Sequence, residues 1–175
     1  MSTAPTAHQR ADLGKQPVSA ALAGPYGHPW HPMLIPIPIG AWITALVFDI
    51  GSHIVDDPGF LTRGAEWLIA IGVLGALAAA MAGFLDLLAI PTGTRAFRTG
   101  LLHMSLNLAV TVAFAINFAW RHGSYTDGRA VGGGMLALSA VSLAVLACSG
   151  YLGGRLAYRY GVRVADEGTQ AEGFH

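Results

Sequence analysis

The stretch LIAIGVLGALAAAMAGFL, Leu68–Leu85, decides the fold class because none of its side chains is charged. A helix on the surface of a soluble bundle is amphipathic and carries a charged outer face, which this stretch lacks. At a rise of about 1.5 Å per residue, about 20 apolar residues cross the roughly 30 Å hydrocarbon core of a bilayer. The stretch therefore predicts a membrane-spanning helix.

The composition of the whole chain agrees with this interpretation. Of its 175 residues, 53% are hydrophobic and only 11% are charged, whereas soluble domains have about 25% charged residues. The net charge is zero and no basic tract is present, so no nucleic-acid partner is expected. The single cysteine, Cys148, lies in an apolar run, and we expect it to be a small buried hydrophobic residue.

Four apolar spans are predicted, joined by short connectors. Short connectors place consecutive helices antiparallel, so the predicted fold is an all-α, up-down bundle of four transmembrane helices. Residues 1–26 are expected to form a disordered or loosely ordered tail, residues 27–164 the membrane domain, and residues 165–175 a second tail. The third connector covers about residues 121–130. The spans run from about Leu34 to Val55, Glu66 to Ile90, Ala96 to Trp120 and Gly132 to Ala157.

Basic residues predict the orientation of the bundle. The side that carries both tails and the second connector has seven lysines and arginines, against three on the other side, which include Arg121. Since positive residues concentrate on the cytoplasmic side, both termini are predicted to be cytoplasmic.

Polar residues within the spans are costly in a bilayer and so mark candidate sites. His103 and Asn107 belong to a polar stripe on the third span, together with Gly100, Thr111 and Asn117. Asp86 is expected at a similar depth, where a contact with His103 would fix the imidazole tautomer. Asp49 and His53 form an i, i+4 pair in the other half of the bilayer, as a second site or a relay.

The segment GHPWHPMLIPIPIG, Gly27–Gly40, holds two further histidines at the membrane surface. His28 and His31 each precede a proline, which favours an extended backbone and predicts a kinked or partly unwound segment. One interpretation makes both histidines interfacial hydrogen-bonding groups. The other makes them ligands: His31 and His103 would hold haem b from two sides, or His28 and His31 would contribute to a metal site.

Three blocks together resemble family 2231 of the domains of unknown function, a family of small bacterial four-helix membrane proteins. They are GHPWHPMLIPIPIGAWITALVFDI, IPTGTRAFRTGLLHMSLN and SGYLGGRLAYRYGVRV. The resemblance implies a multi-pass protein of the bacterial inner membrane, but no activity. Some relatives resemble this domain joined to a Rieske-type iron–sulfur domain, which favours electron transfer. The family pattern is expected to have glycine where this chain has Arg163. The positions carried over as the polar core are His28, His31, Asp49, Asp86, His103 and Asn107.

Three functions remain open at this stage. The first is a membrane redox subunit that binds haem b or quinone, contacts the lipid bilayer and passes electrons to a protein partner. The second is a non-enzymatic structural or assembly module of a membrane complex. The third is proton or metal-ion transport through Asp49, His53 and the polar stripe of the third span, which would need a homo-oligomer. No Gly-x-Ser-x-Gly turn or nucleophile–base set indicates a hydrolase, so catalysis by this chain alone is not expected.

Overall fold

The computed structural model describes residues 5–123 and 128–175, and this part of the chain is helical without strands. Four segments are long and apolar enough to cross a membrane: Trp30–Gly51, Gly59–Ala89, Arg95–His122 and Gly133–Arg159. The prediction of an all-α protein with four spans is therefore confirmed. The helices are α1 (Ala7–Lys15), α2 (Ala20–Ala23), α3 (Trp30–Leu34), α4 (Pro36–Gly51), α5 (Gly59–Ala89), α6 (Arg95–His122), α7 (Gly133–Tyr158) and α8 (Glu167–Ala171), followed by a 3₁₀ turn, Glu172–Phe174.

The long helices form an up-down bundle in chain order. Helix α4 packs on α5, α5 on α6 and α6 on α7, and a smaller contact between α7 and α4 closes the ring. The two tails meet at one end, where the Arg163 amide donates to the Gly14 carbonyl at 3.0 Å. We call this the terminal end. The opposite end, which carries the α4–α5 and α6–α7 connections, is the connector end; residues 124–127 of the latter connection lie outside the described part.

Local chemistry explains where the helices begin and end. Thr94 caps α6, because its hydroxyl accepts the Phe97 amide at 3.1 Å. Helix α4 ends at Gly51 rather than near Val55, and the Ser52 hydroxyl donates to the Asp49 carbonyl at 2.7 Å. The i, i+4 pairing predicted for Asp49 and His53 is therefore wrong, since the helix stops before His53 and leaves it exposed.

The segment before α4 differs from its predicted form. His31 is helical rather than extended, because Pro32 falls in the first turn of α3, where a helix needs no amide donor. Ile35 separates α3 from α4, and Pro36 occupies the first turn of α4. Ile35 keeps helical dihedral angles, φ −60° and ψ −26°, so the predicted unwinding is limited to a one-residue break between the two helices. His28 stays outside the helix.

The N-terminal segment contains two short helices where a loosely ordered tail was predicted. Thr6 and Gln9 form a capping box at the start of α1, and both α1 and α2 contact α5. Long-range hydrogen bonds from the C-terminal segment hold these helices. Such bonds are not visible in a local sequence pattern.

The core lies midway along the bundle. Trp42 stacks on Phe114 with ring centres 4.2 Å apart and planes 11° apart. Gly72 makes this packing possible, since a Cβ there would overlap the Trp42 indole. Cys148, by contrast, is exposed on α7, so its predicted burial is wrong: it faces the surroundings of the bundle, where a bilayer replaces water.

Candidate functional site

Two histidines from different helices meet inside the terminal half of the bundle. His31 on α3 and His103 on α6 have ring centres 6.1 Å apart and planes 88° apart. His31 Nδ1 lies 2.8 Å from the Ala79 carbonyl oxygen, and His103 Nδ1 lies 2.8 Å from that of Ser149. A carbonyl oxygen only accepts, so each Nδ1 carries the hydrogen and each neutral ring keeps a lone pair on Nε2.

Side chains on α6 and α7 hold the His103 ring in place. The Asn107 amide donates to the His103 carbonyl and to the Ser149 hydroxyl, both at 2.9 Å. Its nitrogen also lies 3.2 Å from His103 Nε2. The Ser149 hydroxyl in turn donates to the His103 carbonyl at 3.1 Å. The Thr111 hydroxyl donates to the Asn107 carbonyl at 2.8 Å. The polar stripe predicted on the third span thus serves, in this half, to position one imidazole.

Two glycines leave room for the imidazole rings. A Cβ added at Gly83 would come 2.9 Å from His31 Nδ1, and one at Gly153 would come 3.0 Å from His103 Cε1. Small residues on membrane helices let the backbones approach closely, or leave space beside them for a ligand. In the structure, side chains of this chain fill the space beside both glycines.

Asp86 pairs with Arg163 rather than with His103. Arg163 Nε lies 2.7 Å from Asp86 Oδ1, and both groups are largely buried. The guanidinium also donates to the carbonyls of Ala23 at 3.0 Å, Gly24 at 2.7 Å and Lys15 at 3.3 Å. Arg163 therefore joins the end of α5 to the N-terminal helices.

The backbone at Arg163 accounts for the glycine expected there in the family pattern. Its φ of 59° lies in the left-handed region, which glycine adopts freely and other residues adopt at a cost of about 1–3 kcal/mol. In this chain, the buried interactions of the guanidinium offset that cost.

A second contact between the tails involves Asp166, which caps α8 outside the membrane spans. Its carboxylate accepts the Thr169 amide at 2.9 Å and the Tyr26 hydroxyl at 2.7 Å. These bonds, the Thr169 amide first, lower the pKa of Asp166 below its ordinary value.

A buried ion pair connects the helices at the connector end of the bundle. Arg121 on α6 donates from Nη1 and Nη2 to the two Asp49 carboxylate oxygens, each at 2.6 Å. Its Nε donates to Asn117 Oδ1 at 2.8 Å, and the Asn117 amide donates to the Ser139 hydroxyl at 2.9 Å. Asp49 is 0% exposed and Arg121 5%. This cluster joins α4, α6 and α7.

Not every residue predicted to form a site is brought into one. His28 is exposed and its ring lies edge-on to Trp30, with centres 6.3 Å apart. His53 is exposed beyond the end of α4. Within residues 5–123 and 128–175, no three His, Cys, Asp or Glu side chains come together as a metal-binding group.

Three charged residues that the sequence interpretation did not select prove structurally important. Arg121 was counted as a basic residue outside the bilayer, although it lies four residues after Asn117 on the same helix face. That spacing was the available signal. Glu66 is buried and its Oε1 lies 3.1 Å from His122 Nδ1. Arg163 had no such signal, because its partner Asp86 belongs to a distant part of the chain.

Comparison with known proteins gives one result at the level of the family. The model of a family described as "Predicted membrane protein (DUF2231)" matches residues 27–166, from the segment before α3 to the start of the C-terminal tail. No curated protein and no solved structure matches the chain.

Proposed function

We propose, from the premise that the chain belongs to the DUF2231 family of predicted membrane proteins, that it is a multi-pass subunit of a membrane electron-transfer complex. In this proposal the redox-active group binds at His31 and His103. The protein partner supplies the electron acceptor or donor. The relation to Rieske-type domains that the sequence resemblance implies supports the same class of function.

The observation that carries the proposal is the state of the two imidazoles. The buried pairs Asp49 with Arg121 and Asp86 with Arg163 each bring two opposite charges into contact, at 2.6 Å and 2.7 Å. The histidines differ, because their Nδ1 hydrogens are used and a neutral ring keeps a lone pair on Nε2 that can bind a ligand. At His103 such a ligand would replace the Asn107 amide, whose nitrogen lies 3.2 Å from Nε2. Both residues are mostly buried but keep part of their surface exposed. A group dissolved in the lipid therefore has access to them.

Haem b does not fit between these histidines. A macrocycle of that size needs a pocket of about 300–1,000 Å³, whereas the backbones of Gly83 and Gly153 lie directly against the two rings. A cavity of about 180 Å³ at the connector end and an open groove of about 460 Å³ beside α1 have no lining residue from the pair. A quinol head group is much smaller than a macrocycle, and its hydroxyls are donors that Nε2 of a neutral imidazole can accept.

The test is to purify the protein in mild detergent and to measure its redox difference spectrum, its extractable quinone and its metal content. The proposal expects a redox-active group that is lost in both His31→Gln and His103→Gln. His28→Gln is the matched control, since this exposed histidine lies outside the pair, and it should retain the group. Folded wild-type protein without any redox-active group would overturn the proposal.

A second candidate, a structural or assembly module, is favoured by the saturated cluster around Asp49 and Arg121. In that case His103→Ala and Asp86→Ala would lower stability without changing any bound group. For proton or metal-ion transport, no observation favours a route. Asp49 is locked by Arg121, and His53 is exposed beyond the helix.

A further inference from the structure

We propose that one corner of the terminal end binds the phosphate headgroup of an anionic phospholipid, with the guanidinium groups of Arg155 and Arg159 as its cationic partners. The end of α7 and the start of α6 form this corner, and its other members are Thr99 and Tyr160. The histidine pair is not part of it, so the inference goes beyond the proposed function and does not depend on it.

Arg155 carries a positive charge inside the fourth span, Gly133–Arg159. Among the described residues, the ion pairs of the terminal end use other cations, Arg163 and Lys15, and Arg155 forms none. Its Nε is shielded from solvent and has no acceptor in that part of the chain. A charge within a bilayer is costly unless a counter-charge accompanies it. Since the described acidic side chains do not provide one, the available source is the phosphate layer of the bilayer, which lies at the end of the span.

Tyr160 holds the Arg155 guanidinium in place. Nη2 donates to the Tyr160 hydroxyl at 3.1 Å, and Cζ lies 5.8 Å from the centre of the tyrosine ring. Tyr160 follows the span, and desolvation raises the pKa of its phenol. The hydrogen bonds of Arg155 and Thr99 and the positive charges of Arg155 and Arg159 outweigh that effect, so the pKa lies below its ordinary value. Both guanidinium groups are therefore within electrostatic reach of one hydroxyl, and an anion beside it meets two positive charges.

The face of α7 around Arg155 is open to the surroundings of the bundle. Tyr151 and Tyr158 lie four residues before and three residues after Arg155, on the same side of the helix, and they are 70% and 94% exposed. Tyrosine is enriched where hydrocarbon meets headgroups, because its ring is apolar and its hydroxyl is polar. Arg155 lies four residues, about 6 Å, before the end of the span, and a long arginine side chain can reach from there to the headgroups. The position of the corner therefore favours a membrane lipid over a soluble anion.

The charge of the corner selects among lipids. Guanidinium groups bind phosphate oxygens through paired N–H donors. In phosphatidylcholine the choline cation neutralises the phosphate, whereas phosphatidylglycerol keeps a net negative charge. Basic pockets between membrane helices at the bilayer surface bind such anionic headgroups. The corner should therefore prefer phosphatidylglycerol.

The experiment measures lipid binding to the purified protein by native mass spectrometry, with phosphatidylglycerol and phosphatidylcholine of the same acyl chains added to the detergent micelles. We expect the wild-type protein to retain phosphatidylglycerol in preference to phosphatidylcholine. Arg155→Gln and Arg159→Gln should each weaken its binding about 5-fold, and the double variant about 25-fold. Arg129→Gln is the matched control, since it removes an exposed arginine from the connector end, and it should bind as wild type does.

Three outcomes would overturn the inference. The first is equal retention of the two lipids by the wild-type protein, a measurement that needs no variant to fold. The second is binding that the double variant leaves unchanged, or that the control weakens as much as Arg155→Gln does, because the total charge would then account for it. The third is displacement of the lipid by millimolar inorganic phosphate at constant ionic strength, which would make the corner a site for a soluble anion. The inference expects the lipid to stay bound under that condition.

Discussion

Replacing Arg121 with methionine tests the physical account of the connector end. The change leaves the Asp49 carboxylate without its cation, at a position where it is 0% exposed. Removing one partner of a buried ion pair costs about 3–5 kcal/mol. Losing a single neutral hydrogen bond between membrane helices costs only about 0.6 kcal/mol. Because Arg121 reaches both carboxylate oxygens at 2.6 Å, Arg121→Met should lose about 3–5 kcal/mol of unfolding free energy.

Two further variants make this prediction specific to the charge. Ser139→Ala removes a hydrogen-bonding partner of Asn117 in the same cluster and should cost about 0.6 kcal/mol. The double variant Asp49→Leu/Arg121→Met removes both charges, and its stability should return to within about 1 kcal/mol of the wild type or exceed it. Reversible unfolding in mixed detergent micelles, followed by tryptophan fluorescence, measures all of these values.

The reasoning fails if Arg121→Met loses less than about 1 kcal/mol, the value of an exposed pair. It also fails if the double variant is as unstable as the single one. In the first case the pair is hydrated at the connector end rather than buried. In the second, the cluster contributes through its shape and not through its charges.

Three further predictions concern other parts of the molecule. Gly72→Ala should lose about 1–3 kcal/mol of stability in the same unfolding assay, because the new methyl group overlaps the core tryptophan. Gly150→Ala is the control: its methyl group meets no atom within 4 Å, so no stability should be lost. Arg163→Gly suits the left-handed backbone and removes the side chain that binds the Lys15, Ala23 and Gly24 carbonyls. Trypsin should therefore cleave after Lys15 about 10-fold faster, and an unchanged rate would show that Arg163 does not hold the N-terminal helices. The pKa of Asp166 is lowered, so its ionised carboxylate stabilises α8. This stabilisation should be complete above the ordinary carboxyl pKa of about 3.9 and should be lost as the pH falls through the lowered pKa. Amide exchange in α8 measures this opening, and an acid transition that survives in Asp166→Asn would contradict it.

The four spans were predictable because the bilayer imposes a length and a composition on each one separately. Their ends were less predictable, since single side chains decide them. Ser52 ends α4 through one hydrogen bond, and α5 begins at Gly59, before the apolar run that marked its span. The helical state of His31 depends on the position of Pro32 within the first turn, which a rule for residues before proline does not include.

The candidate site was predictable in its residues and only partly in its contacts. Sequence reasoning selected His31, His103 and Asn107, and the structure brings these three together. Asp86 was also expected beside His103, but its carboxylate forms an ion pair with Arg163 instead. Helix periodicity places residues of one helix on a common face. It contains no information on which distant side chain folds back over the end of the bundle.

The most direct test of the central claim is the nitrogen NMR spectrum of His31 and His103 in the metal-free protein, reconstituted in lipid. Nδ1 of each ring lies 2.8 Å from a carbonyl oxygen, so we expect neutral rings with hydrogen on Nδ1. We also expect both Nε2 signals to shift when the redox-active group binds, which at His103 displaces the Asn107 amide 3.2 Å away. Hydrogen on Nε2 of either ring, or two charged imidazolium rings, would contradict the account, since no lone pair would remain on Nε2 to bind a ligand.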